Sequence, residues 1–307
     1  MINKYEFKAM GCHMLAALDL PVNVTPTQLD QVPGWFETWE QSLSRFRETS
    51  ELTKLNSSAG RPFQVSDTLW EVLQTALESE RLSFGLVTPT VLDALVMAGY
   101  DRSFDQLPPA SSVLMRDYFA PVGLLSEVLL EESARTVCLP PGLRLDLGGI
   151  AKGWAADRAT RRLSDAGPAL VNAGGDIAVS GPQSNGDAWP IGISDPFNPE
   201  ADLETIMINR GGVATSGKDY RRWQQGGIWQ HHIIDPRTGM PAQTDVLTAT
   251  VIAPSAVEAE VAAKVALISG SRAGLDWLES NSSLAGMLVL EDGQLIYSRR
   301  MSQYQWR

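Results

Sequence analysis

The chain has 307 residues and a mass of 33.4 kDa, long enough for one large domain or two closely packed lobes. Its 44% hydrophobic and 20% charged content is an ordinary globular balance and excludes wholesale disorder. Lys plus Arg number 25 against 36 Asp plus Glu, so the formal charge is −11 and the pI about 4.8, which leaves no global attraction to nucleic acid or anionic lipid.

The first residues carry Lys4, Glu6 and Lys8 and lack the apolar core of a secretory leader. The longest uncharged runs reach 12 residues, as in Val246–Val257 with its proline. A membrane-spanning helix needs roughly 20 apolar residues. The expectation is a soluble chain in the cytoplasm, with no membrane span. Cys12 and Cys138 cannot build a disulfide framework, and no CxxC or Cys/His metal spacing occurs; a single bridge or two reduced core thiols remain, the second being preferred.

In chain order, Leu15–Leu20 reads as a strand. Pro33–Phe46 reads as a helix, with Trp35, Phe36, Trp39 and Leu43 on one stripe and Pro33 suited to the first turn. Ser66–Ser83 reads as a helix capped by Ser66 and followed by Gly85, with Leu69, Val72, Leu73, Ala76 and Leu77 at helical spacing. Asp105–Pro121 is rich in turn residues and is the expected lobe connector within a single domain covering residues 1–307. Glu127–Leu130 and Thr136–Leu139 read as paired strands. Leu143–Leu147 reads as a short apolar strand feeding a helix from about Gly149 to Asp165. Strands are expected at Ala169–Val179, Trp189–Ile193, Thr205–Asn209, Ile228–Asp235 and Leu247–Ala253. Helices follow at Ser255–Ile268 and Ser271–Glu279, then a hairpin across Glu291-Asp292-Gly293. Strands grouped between helices indicate an α+β fold, with mixed or antiparallel sheets, packed helices and two closely associated lobes.

Four segments concentrate chemistry. In Asp146-Leu147-Gly148-Gly149-Ile150-Ala151-Lys152, two glycines at the start of a helix permit close ligand approach, and a helix N-terminus suits phosphate. Lys152 opposes the helix dipole there and requires a compensating anion; a tight turn with Lys152 in solvent is the equally weighted alternative. Asn172-Ala173-Gly174-Gly175-Asp176 reads foremost as a hairpin turn. Thr215-Ser216-Gly217 suits either oxyanion contacts or an ordinary hydroxyl turn. His231-His232 precedes the turn Asp235-Pro236-Arg237-Thr238-Gly239; neighbours in a strand point to opposite faces, so one of the two can serve as a general base. Arg158, Arg161 and Arg162 form a basic helix face, read as a solvated surface.

Taken together and in this order, these segments resemble the FAD:protein FMN transferase family, the ApbE-like flavin transferases. Ala9-Met10-Gly11 is similar to the family's opening segment, and Ser44-Arg45-Phe46-Arg47 through Asn56 to its "SRFRPDSELSRLN" stretch. Phe84–Tyr100 and Gly217–Pro241 match two further stretches, so the likeness spans about residues 9 to 270. The resemblance implies transfer of the FMN part of FAD to a Thr or Ser hydroxyl of an acceptor protein, with release of AMP. It assigns FAD contacts to Met10, Phe46, Ala98, Gly99, Tyr100, Asp146, Gly149, Lys152 and Ile234, and the base for the acceptor hydroxyl to His232. Gly174, Gly175, Asp176, Thr215 and Ser216 join the candidate cofactor contacts.

The resemblance also implies a divalent metal, usually Mg²⁺, held by a backbone carbonyl at Gly149 and by an Asp and a Thr of a helix. Here Glu260 stands for the Asp and Lys264 for the Thr. The i, i+4 spacing puts both on one helix face, but a carboxylate and an ammonium cannot share a metal as a carboxylate and a hydroxyl do. The expectation is that the Lys264 charge replaces the metal beside the pyrophosphate, with Glu260 orienting it. Val87-Thr88-Pro89-Thr90 also lacks the family's usual Asp, and Cys12 replaces its Thr. Two alternatives stay open: an FAD-binding or flavin-carrier protein without transfer, and an FAD pyrophosphatase.

Overall fold

The computed structural model describes residues 1–58, 60–108, 110–111 and 122–306. In chain order the elements are β1 (Ile2–Ala9), β2 (Cys12–Asp19), α1 (Val32–Leu43), α2 (Glu51–Asn56), β3 (Phe63–Gln64), α3 (Asp67–Leu82), α4 (Leu92–Met97), β4 (Ala110–Ser111), β5 (Leu129–Glu131), β6 (Thr136–Cys138) and α5 (Ala151–Ser164). They continue as β7 (Ala169–Ala173), β8 (Asp176–Val179), β9 (Trp189–Asp195), β10 (Asn198–Ile208), β11 (Gly211–Gly217), β12 (Arg222–Gln225), β13 (Ile228–His231), β14 (Ile234–Asp235), β15 (Met240–Pro241), β16 (Val246–Ala253), α6 (Ala256–Ser269), α7 (Ser271–Ser280), β17 (Ala285–Leu290) and β18 (Leu295–Tyr297). The α+β expectation holds: helices pack with sheets that are mainly antiparallel, and β4 pairs with β12 in parallel.

The chain forms two compact units, the first from Met1–Glu37, Lys152–Asp219 and Thr244–Arg307, the second from Thr38–Ala151 and Tyr220–Gln243. The first is built on an antiparallel eight-stranded sheet in the order β1-β2-β7-β8-β11-β16-β17-β18. Strand alternation sends Ile177, Val179, Val213, Ile252, Met287 and Val289 to one face, where they form a core with Trp189, Ile191 and Ile206 of the β9–β10 hairpin. The opposite face carries α6, whose Ala256, Ala259, Val261, Ala262, Ala263, Val265 and Leu267 are all buried. Apolar residues all round that helix match its central place.

Helix α5 meets α6 at a glycine. A Cβ at Gly153 would lie 2.9 Å from Glu260 Oε2 and 3.0 Å from the Ala256 carbonyl, so the missing side chain sets how closely the helices approach. One turn later the Asp157 carboxylate accepts from the N–H groups of Ala256 (2.9 Å) and Val257 (3.1 Å), capping α6 from a neighbouring helix. Burial pushes the Asp157 carboxyl up to about 6, against the opposing pull of those two N–H donors.

The second unit holds α2, α3, α4 and three small sheets. Ser66 caps α3 through Leu69 N–H at 3.3 Å, and Gly85 N–H returns to the Glu80 carbonyl at its end, both as expected. Trp223, Tyr100, Leu95, Ala98 and Ile234 form its apolar cluster.

Several expectations need correction. Helix α1 stops at Leu43 rather than Phe46, because the Ser44 hydroxyl takes the Phe46 N–H and diverts the chain from the helical ladder. Leu143–Leu147 is not a strand; Asn56 bonds both the N–H and carbonyl of Leu145, and Asp146 N–H donates to the Pro89 carbonyl. Its backbone is satisfied by a side chain and a loop instead of a ladder. Ala169–Val179 is two strands about the expected Gly174-Gly175 turn, and Ile228–Asp235 breaks at His232-Ile233. Strand β1 adds to the expected elements. Asp105–Pro121 falls within the second unit's range, and its residues 109 and 112–121 lie outside the described residues.

Gly153→Ala is expected to lower the unfolding free energy by about 1–3 kcal/mol in urea melts, because the new methyl would meet the Ala256 backbone and the held Glu260 carboxylate, neither of which can simply rotate away.

Candidate functional site

Four charged side chains of the first unit meet where α5, β8 and α6 converge. Lys152 Nζ, in the first turn of α5, donates to Asp176 Oδ2 at the start of β8 and to Glu260 Oε1 of α6 at 3.2 Å. Lys264 Nζ, one turn along α6, donates to the same Glu260 oxygen at 3.0 Å. The second Glu260 oxygen accepts the Gly153 N–H at 3.1 Å. Asp176 is 2% exposed and Glu260 1%. The anion that Lys152 requires at a helix N-terminus is therefore supplied twice over.

Burial disfavours the Lys152 ammonium, but the Asp176 and Glu260 carboxylates outweigh it and hold its pKa well above the usual lysine range. Burial likewise opposes Glu260, and Lys152 and Lys264 overcome it, so Glu260 stays ionised with a pKa near the bottom of the scale. Asp176 goes the other way: burial and the nearby Glu260 charge push its carboxyl up, only partly offset by Lys152. The shared cations thus favour Glu260, the carboxylate with more donors.

This arrangement changes the phosphate reading of the helix start. The Gly153 N–H is taken by Glu260 and the Ala151 N–H by the Leu147 carbonyl, so positive charge comes from the two ammonium groups more than from free backbone donors. Gly148 and Gly149 lie in the turn preceding α5, with Gly148 N–H on Asp146 Oδ1 at 2.8 Å. Gly174 and Gly175 have φ of 66° and 99°, which a two-residue hairpin between β7 and β8 demands without any ligand. A Cβ at Gly174 would sit 2.7 Å from Cys12 Cβ, a second reason for glycine.

Thr215 and Ser216 are neighbours on β11 and cannot act as one pair of contacts. Thr215 shares the face of Val213 and bonds Thr250 across the sheet at 2.8 Å, whereas Ser216 shares the α6 face. Only Ser216 is on the side of the charged cluster. Met10, with φ 49°, forms the β1–β2 turn with Gly11. Arg161 and Arg162 are exposed, and the Arg162 guanidinium stacks on Trp35 at 5.0 Å.

In the second unit, Phe46, Tyr100 and Asp146 gather around Arg45. Its Nε donates to Asp146 Oδ2 at 2.5 Å and its Nη2 to the Tyr100 carbonyl at 2.8 Å. The guanidinium lies 4.1 Å from the Phe46 ring centroid and 4.7 Å from that of Tyr100. Trp223 completes the group: its ring is 5.4 Å from Tyr100 and its Nε1 donates to the Ala98 carbonyl at 2.7 Å. Gly99, with φ 95°, leaves room for Trp223, since a Cβ there would come within 3.0 Å of the indole nitrogen. Arg45 and Trp223 were missed as site residues; the arginine beside Phe46 was the available signal, whereas Trp223 had none. Where the family's Asp is absent, the Thr88 hydroxyl bonds that of Thr90 at 2.8 Å, and Thr90 donates on to the Gly123 carbonyl.

The histidines divide by their partners. His231, the last residue of β13, accepts Ile233 N–H at Nδ1 (3.3 Å), which leaves Nε2 to donate to the Ala242 carbonyl (3.0 Å). Both ring nitrogens of His231 are therefore occupied by backbone partners. His232 is half-buried and sits past the end of the ladder, where the strand breaks, so its position comes from the break and not from strand alternation. Ile234 is buried beside Tyr100 and Trp223, and the Asp235–Gly239 turn forms as its composition required.

The chain belongs to the ApbE family, whose profile matches residues 10–288. It is 30% identical over 298 residues to the FAD:protein FMN transferase of Treponema pallidum, covering 92% of this chain and 82% of that one. It is 29% identical over 268 residues to that of Klebsiella pneumoniae, covering 85% and 81%. The ApbE protein of Thermotoga maritima superposes with a TM-score of 0.87 at 26% identity over the full length of both chains. The flavin transferase ApbE of Vibrio cholerae shares the fold at a TM-score of 0.83 and 24% identity, covering 99% of each.

The divalent metal implied by the family resemblance does not fit the residues present. Both Glu260 oxygens already accept hydrogen bonds, three donors in all, and the position one turn on is an ammonium instead of a hydroxyl.

Lys152→Met is expected to destabilise the fold by about 3–5 kcal/mol, because it strands the buried Asp176 carboxylate. Without its cation Asp176, already raised by burial, titrates still further above its unfolded value, so the folded state binds more protons and stability falls as pH rises through that range. Urea melts should therefore show a larger loss at about pH 8 than at about pH 5. Adding Asp176→Asn should recover much of it.

Proposed function

We propose that this chain binds FAD and transfers its FMN part to a Thr or Ser hydroxyl of an acceptor protein, releasing AMP. Its family membership and its likeness to relatives named as FAD:protein FMN transferases support the reaction class. The observation that carries the reading is the pair of nearly buried lysines, Lys152 and Lys264, fixed on Glu260 at 3.2 and 3.0 Å. Two ammonium groups side by side, one N–H of Lys152 and two of Lys264 not spent on Asp176 or Glu260, suit the oxygens of a pyrophosphate.

In the reaction, the acceptor oxygen attacks the flavin-side phosphorus, the phosphoanhydride bond to AMP breaks, and the hydroxyl proton leaves to a base. His232 is the proposed base: it lies on a loop end, and its neighbour His231 is already committed as a structural ring. Phe46, Tyr100 and the Ala98-Gly99 loop are proposed ring contacts for the flavin or adenine, held by Arg45 and Asp146. Met10, Ile234, Gly149, Gly174, Gly175, Thr215 and Ser216 remain proposed contacts carried by family position or local sequence.

The ammonium in place of a metal ligand favours a second reading, an FAD-binding protein in which transfer has been lost. One experiment separates the two. The chain is incubated with FAD and a Thr-bearing acceptor peptide, then analysed by mass spectrometry. A peptide–FMN adduct with AMP is expected. Intact bound FAD alone marks the carrier, and free FMN plus AMP without adduct marks hydrolysis. His232→Ala should cut transfer by about 10²–10⁴-fold while sparing FAD affinity. Unchanged transfer would sink the base assignment.

A further inference from the structure

We infer that this chain holds the FAD pyrophosphate without a divalent metal, the Lys264 ammonium acting as a built-in cation. The inference rests on the flavin reading above and deepens it.

The Glu260–Lys264 pair differs from a solvated helix ion pair. In such a pair both partners are exposed and contribute little. Here Glu260 is 1% exposed and the Lys264 side chain 15%, on a helix whose residues 259–263 and 265–268 are buried. A lysine retained in such a position, where an apolar residue would pack at less cost, calls for a role.

Geometry excludes the metal and supplies its substitute together. To bind a cation, Glu260 would have to release two ammonium groups and one backbone N–H inside a buried cluster. The incoming ion would then face the positive charges of both lysines at short range. An incoming phosphate meets the opposite situation. Lys264 has three N–H donors and gives one to Glu260, leaving two without a partner among the described residues. Lys152 likewise gives two, one to Asp176 and one to Glu260. Glu260 thus positions both cations without neutralising either by a bidentate contact of its own.

The test uses the intact chain with FAD as ligand and Mn²⁺ as the metal probe. Isothermal titration should give the same FAD affinity, within about twofold, in EDTA and in excess Mg²⁺. The electron spin resonance signal of free Mn²⁺ should persist undiminished when chain and FAD are added together. Lys264→Met, which keeps the length and removes the charge, should weaken FAD binding by about tenfold or more in EDTA. Lys264→Arg should keep metal-independent binding, which separates loss of charge from loss of fold.

Uptake of one Mn²⁺ per chain in the presence of FAD would overturn the inference while leaving the flavin reading intact. Undiminished FAD affinity in Lys264→Met would do the same. Absence of FAD binding in both EDTA and Mg²⁺ would remove the flavin reading, and this inference with it.

Discussion

The ionised state of one buried carboxylate organises the first unit. Glu260 accepts from Lys152, Lys264 and the Gly153 N–H, and through them it ties the start of α5 to the middle of α6 and, by way of Lys152, to Asp176 on β8. An ionised carboxylate taken out of water is tolerated only when its oxygens are filled by donors. Three donors satisfy that condition here, and one of them depends on a glycine. Any side chain at position 153 would push α6 away and take the N–H with it. Helix packing and site electrostatics are therefore one constraint. Asp157 applies the same logic a turn later, where a half-buried carboxylate closes the first N–H groups of α6.

The second unit solves a different problem with a different charge. Arg45 is held by Asp146, by the Tyr100 carbonyl and by two aromatic faces. A guanidinium can do this because it is planar and weakly hydrated, stacking by its faces while donating at its edge. A lysine there would keep the charge and lose the geometry. The result fixes Phe46 and the Ala98–Tyr100 loop relative to each other, although they are separated by about fifty residues of chain. Trp223 presses on the same loop from β12, and Gly99 is the residue that lets it.

Legibility in the sequence followed the range of the interaction. Helix α3 was readable because its cap, its apolar spacing and its terminal glycine are all local. The Gly174-Gly175 hairpin was readable for the same reason. Lys152 could be flagged, since a cation in a first helical turn is locally unfavourable, and the need for an anion followed. That its partners would be Asp176 and Glu260 could not be read, because these lie 24 and 108 residues away. The break at His232-Ile233 was invisible for a related reason. The run is mostly β-branched and aromatic, and the bonds that accompany the break, from His231 to the Ala242 carbonyl and from Ala242 N–H to the Ile233 carbonyl, are not local. Leu143–Leu147 failed likewise, since nothing local shows that the Asn56 side chain replaces a neighbouring strand. Family likeness helped where a motif was intact, and at Glu260 and Lys264 the informative feature was the departure from it.

The acidic composition sharpens what that departure means. A chain with a formal charge of −11 repels an anionic ligand at long range, so attraction must be made locally. A divalent ion recruited from solution is one source of such charge, and it brings twice the charge of a lysine to one point. A resident ammonium is weaker but permanent, since it is covalently placed and held by Glu260 in a region that water scarcely enters. The two choices fail differently. A metal site is lost by chelation and preserved in the fold, whereas a lysine site is indifferent to chelators and is inseparable from the packing of α5 on α6. In this chain the residue that holds the two ammonium groups is also the residue that joins the helices, so their charge is kept in place by the same contacts that maintain the fold.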